Sequence, residues 1–145
     1  MMAALFPGHA MAPAVRARIA LLRDRMGSEA GLEVTCGGRS MEPVIARGAR
    51  VRVLPGRARV GHVAAFLTER GDLELHRLVA RAPGGWWAHL GDNQVDPTPG
   101  LVHASHIVGF ADVPEKAPRA RARIRALTRI GRAALTVARR TLQPR

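Results

Sequence analysis

The hydrophobic positions divide the chain into three stretches of different texture. After Pro13 the sequence reads AVRARIALLRDRMGSEAG. Val15, Ile19, Leu22 and Met26 recur at spacings of four, three and four, which makes one stripe of a helix. Arg16, Arg18, Arg23 and Arg25 lie mostly off that stripe, and Gly27 is the expected stop. From about Gly31 to Val113 the pattern changes. The runs LEVTC, RVRVL, GHVAAFL, DLELHRLVA, GWWAHL and SHIVGFADV sit between glycines and prolines and read as six short strands. Val51 and Val53 alternate with Arg50 and Arg52, as in a strand with one wet face. Leu73, Leu75 and Val79 share one parity, and Glu74, His76 and Leu78 the other.

Pro114 and Pro118 then break regularity. The following RARARIRALTRIGRAALTVARRTL reads as a basic amphipathic helix whose apolar side is Ile124, Leu127, Ile130, Ala134 and Val137. Gly131 weakens it by about 1 kcal/mol against alanine. The expected organisation is therefore an N-terminal amphipathic helical segment over 1–30, a compact, mostly β domain over 31–113, and a basic helical tail over 114–145.

Length and composition narrow the class. The 145 residues suit one domain with one core. A single cysteine, Cys36, excludes an internal disulfide framework. No run of 18 apolar residues occurs, so no membrane-crossing helix is expected. The opening MMAALFPGHAMAPAV lacks a basic n-region and is broken by Pro7, Gly8 and Pro13. A secretory signal is thus not expected, and a cytoplasmic location is.

The net charge is +12, and residues 114–145, with Lys116, nine arginines and Glu115, hold +9 of it. Three readings of that tail stand at this point. It is a solvated face inflated by an arginine- and alanine-rich composition, or it lies peripherally on an anionic membrane surface, or it touches nucleic acid or an acidic partner. Nucleic acid has the least support, because aromatics make up only 3% and leave little to stack on bases.

The chemistry concentrates in Gly38-Arg39-Ser40-Met41-Glu42-Pro43. Pro43 fixes its own φ and biases Glu42 away from helix, so Ser40 stands at a rigid strand-to-turn junction. Such a serine is either a presented nucleophile or a turn cap. His76, in a strand, has the intrinsic pKa of a general base near neutral pH; its bland reading is a satisfied strand histidine. Asp92 or Asp96, in Gly91-Asp92-Asn93-Gln94-Val95-Asp96-Pro97, could orient that histidine or simply close a polar turn. Cys36 reads as a small buried hydrophobe. His103 and His106 are three apart in a turn-then-strand region, and His9, His62 and His89 form no ligand pattern. No metal or cofactor is expected. Of Trp86-Trp87, one ring is expected in the core and the other at the rim.

Taken in order, SMEP, GHVAAF, LHRLV, GDNQVD and HIVGF resemble the signal peptidase I family of serine proteases. The likeness covers roughly Val34 to Val113 and is closest to the branch of archaea and the endoplasmic reticulum, whose base is histidine in an HR pair. The resemblance implies a mostly β, strongly coiled sheet. It implies Ser40 as nucleophile, His76 as base with Arg77 its neighbour, Asp96 as the acid that orients the base, and Asp92 as a structural or supporting acid.

Members often carry a hydroxyl two residues before the nucleophile; here it is Gly38, so the oxyanion would rest on backbone N–H groups, notably that of Ser40. Ser40, Gly38, Met41 and Arg77 are the expected oxyanion and substrate-binding set. Members are also usually anchored by a transmembrane helix, so the expected substrate here is a soluble precursor protein or peptide with small residues before the cut. The expected activity is serine endopeptidase cleavage of leader or signal-like peptides. The alternative is an inactive peptide- or nucleic-acid-binding module on the same scaffold, and a self-cleaving regulator akin to the SOS repressors ranks last.

Overall fold

The computed structural model describes residues 9–94 and 98–142, with side chains of the last helix as far as Thr136. Seven antiparallel strands form one sheet: β1 (Leu32–Thr35), β2 (Arg50–Leu54), β3 (Val63–Leu67), β4 (Leu73–Arg81), β5 (Trp86–Leu90), β6 (Gly100–His103) and β7 (Ile107–Ala111). Their spatial order is β1-β2-β7-β3-β4-β5-β6. The protein is thus mostly β, with helices α1 (Pro13–Ser28) and α2 (Ala120–Leu142) packed on the sheet. Among the described residues, no helix is long and apolar enough to cross a membrane.

α1 follows its stripe. Val15, Ile19 and Met26 are buried, and Val15 and Ile19 pack with Leu67 and Val108. The helix runs past Gly27, because that residue does not turn the chain. Ala30, at φ 54°, and Gly31, at φ 132°, do, and the Gly31 N–H bonds back to the Met26 carbonyl. A Cβ on Gly31 would meet Arg52 and Leu54 side chains at 2.8 and 3.1 Å, so the turn needs glycine there.

All six expected strands form. The one not expected is β6. It is only four residues long, begins at a glycine and follows Pro-Thr-Pro, so its sequence resembles a turn. Its pairing with β5, from Trp86↔His103 to His89↔Gly100, supplies what local pattern does not. Trp87 is buried with Phe66, Leu78, Val102 and Phe110, while Trp86 is only half-buried.

The tail helix packs on the sheet by a face that its apolar stripe does not predict. Ala126 is fully buried, and with partly buried Ala122 and Ile130 it rests on Val79, Ala80, Ala88 and Leu90. Ile124 and Leu127, read as part of the apolar side, face solvent. Small alanines let the helix approach the β4–β5 surface closely, so the contact stripe is rotated away from the large apolar residues. Val137 lies outside the described side chains.

Candidate active site

The turn after β1 carries Ser40. It is anchored from below by Met41, which is completely buried and packs among Cys36, Ile45, Val63 and Leu75. The Glu42–Pro43 peptide bond is cis, and the Ile45 N–H closes the turn onto the Met41 carbonyl. Met41 is therefore a core anchor rather than a substrate contact. Gly38 is exposed, with open space where a Cβ would stand, and its carbonyl lies 3.5 Å from the Cys36 thiol.

Ser40 Oγ lies 3.2 Å from His76 Nε2 on β4. The other ring nitrogen, His76 Nδ1, lies 2.9 Å from His89 Nδ1 on β5. If His76 Nε2 accepts the serine proton, Nδ1 must carry a proton and donate it to an unprotonated His89 Nδ1. Burial, the neighbouring His76 and Arg129 push the His89 pKa down to about 3, so His89 is a neutral acceptor across the physiological range. His76 is also lowered from 6.5, by burial first, with Asp92 opposing. Phe66 packs on both rings, its centroid 6.1 Å from His76 and 4.7 Å from His89. The Glu74 carboxylate lies 3.9 Å from His76 Nδ1, too far for a hydrogen bond.

The Gly91-Asp92-Asn93 turn holds this arrangement in place. The Asn93 N–H donates to the Ser40 carbonyl at 2.8 Å, and its side-chain amide donates to the Arg39 carbonyl at 3.2 Å. A Cβ on Gly91 would sit 2.5 Å from Ser40 O and 2.8 Å from Ser40 Cβ, so only glycine admits the Ser40 turn. Asp92 spends its hydrogen bonds on Arg77 rather than on His76. Both its oxygens accept from Arg77, Nε to Oδ1 and Nη2 to Oδ2, each at 2.7 Å. Arg77 is 3% exposed and also donates from Nη1 to the Gly61 carbonyl at 2.6 Å. It is therefore a buried strut, not a substrate contact, since its guanidinium is already committed. Asp96 lies outside the described residues.

Gly91→Ala tests the close approach. The protein is expected to fold, with its Ser40 turn displaced, and any Ser40-dependent turnover is expected to fall by about 10²-fold. Unchanged turnover would show that the contact does not set the geometry.

Beside Ser40 lies a cavity of about 250 Å³, lined by Thr35, Cys36, Gly38, Glu74 and His76 among others. Two strand edges border it. β1 pairs only with β2. β4 pairs with β5 only from Arg77 onward, which leaves Leu73–His76 bonded on the β3 side alone. Open edges of this kind accept an extended peptide as an added strand.

Sequence reasoning missed His89 and Glu74. Glu74 was within reach, since it shares parity with His76 two residues away. His89 depends on the β4–β5 register, where Leu78 opposes His89 and the strands slip at a bulge between Leu78 and Ala80. His9, His103 and His106 also gather, with the His9 and His103 rings stacked at 4.9 Å and His9 bonded to His106. Among the described residues, no group of three donors is placed to hold a metal ion. No protein-family model matches the sequence, and neither does any curated protein sequence.

Proposed function

We propose that the protein is a serine endopeptidase of the signal peptidase I type, with the coiled-sheet fold of that family, acting on leader-like segments of precursor proteins or peptides. The observation that carries the reading is the chain of contacts from Ser40 Oγ to His76 Nε2 at 3.2 Å and from His76 Nδ1 to His89 Nδ1 at 2.9 Å, at the rim of a cavity between two open strand edges. An extended peptide lies along those edges with its carbonyl at Ser40. His76 takes the Ser40 proton as Oγ attacks, and the Ser40 N–H faces the oxyanion. The protonated His76 donates to the leaving amine. Water, deprotonated by His76, then releases the acid. His89 orients the base and fixes its tautomer but contributes no charge. Among the described residues, Glu74 holds a carboxylate 3.9 Å from His76 Nδ1.

The test is digestion of a diverse peptide pool read by mass spectrometry, alongside labelling with a fluorophosphonate. Cleavage after small residues, with the adduct on Ser40, is the expected result. Absence of both would turn the reading toward a binding module on the same scaffold.

The pH profile gives a second check. His76 must be neutral to act as base, and its pKa is lowered from 6.5. kcat/KM is therefore expected to rise along one acid limb with a midpoint below 6.5 and stay level through neutral pH. A midpoint above 6.5 would mean that a carboxylate, not His89, dominates the surroundings of the base.

A further inference from the structure

We propose that α2 docks the protein onto an anionic lipid bilayer, lying in the interface rather than crossing it. The helix has three faces with different jobs. One, made of Ala122, Ala126 and Ile130, seats it on β4 and β5. A second presents Ile124, Leu127 and Leu135, which are 63%, 56% and 61% exposed. Their spacings of three and eight, with Gly131 between, keep them on one stripe. A third carries Arg121, Arg125, Arg129 and Arg132, all exposed and three to four residues apart. From Lys116 to the end of the chain there is no acidic residue.

This distribution is the reverse of a helix that serves packing alone. The protein side takes two alanines and Ile130, while Ile124, Leu127 and Leu135 face water. A bilayer interface uses both remaining faces at once: the aliphatic stripe enters the acyl boundary, and the arginines meet lipid phosphates. Arg125, Arg129 and Arg132 also border a cavity of about 570 Å³ beside Thr98 and Leu101, wide enough for a phosphate-bearing headgroup. Nucleic acid would use the arginines but has no place for the aliphatic stripe.

The test is co-sedimentation of the full chain with vesicles of phosphatidylglycerol and phosphatidylcholine, against vesicles of phosphatidylcholine alone and against duplex DNA. The variants are Ile124→Ser/Leu127→Ser and Arg125→Gln/Arg132→Gln. All four positions are exposed, so thermal melting is expected to stay that of the parent. The expected result is binding to the anionic vesicles that falls at least about tenfold in each variant. Three results would overturn the proposal. The first is no vesicle binding. The second is vesicle binding that Ile124→Ser/Leu127→Ser leaves intact. The third is tighter binding to DNA than to vesicles at equal phosphate. None depends on whether the protein cleaves peptides.

Discussion

Alanine at Ser40 is expected to lower kcat by about 10⁴–10⁶, alanine at His76 by a similar factor, and the double variant by no more than the worse single one. The non-additivity follows from the geometry. Among the described residues Ser40 Oγ has one base within reach, His76 Nε2 at 3.2 Å, so neither group is expected to work without the other. Residual activity would come from the oxyanion donor and peptide binding alone. His89 makes a graded comparison. It is neutral, with a pKa near 3, and holds His76 by one hydrogen bond. His89→Ala is therefore expected to cost only about 10–10² in kcat, because general base catalysis itself is worth about 10²–10⁴ and His76 remains. His89→Gln, which keeps an acceptor, is expected to recover part of that. Single-turnover rates on one cleaved peptide would decide. Additive losses at Ser40 and His76, or a His89→Ala loss as large as His76→Ala, would sink the proposed division of labour.

Arg77→Met is expected to lower stability by about 3–5 kcal/mol, the usual result of stripping one partner from a buried ion pair. For a chain of this size that is a drop of roughly 10–15 °C in the melting temperature. The cause is Asp92, whose side chain is 10% exposed and whose two oxygens both lean on Arg77. Arg77→Lys keeps the charge but not the fork, so it is expected to fall between. Removing the carboxylate as well, in Arg77→Met/Asp92→Leu, is expected to restore much of the loss, since no buried charge is left alone. Circular-dichroism melting of the four proteins checks the order. A loss under about 1 kcal/mol in Arg77→Met would place Asp92 in water rather than in the protein.

Elements whose pattern is local were legible in the sequence. The stripe of α1, the alternation of β2 and the apolar runs of β3, β4, β5 and β7 each declare themselves within a few residues. β6 did not, because pairing with β5 overrides a sequence that reads as a turn. The stripe by which α2 docks was hidden for a related reason: periodicity finds the largest apolar residues, whereas close approach to the sheet selects alanine.

In the site, Ser40 and His76 could be named from residue type and order, and the structure brings them within 3.2 Å. The ring that meets His76 Nδ1 could not. Asp96, the acid expected to orient the base, lies outside the described residues, and Asp92 is held by Arg77. The imidazole that meets His76 Nδ1 comes from the next strand, through a register that no single segment encodes.

The position of β7 has a consequence for when the site comes into being. Ser40 belongs to the turn joining β1 to β2, and His76 to the hairpin of β3 and β4. In the sheet these two pairs are not neighbours: β7, the last strand to be made, lies between β2 and β3 and bonds to both. A growing chain that has not reached Ile107–Ala111 thus holds Ser40 and His76, and the Asn93 turn that bonds to Ser40, but lacks the strand that joins β2 to β3 in the sheet. On the proposed reading, the serine and its base are not carried on one continuous sheet until β7 is in place.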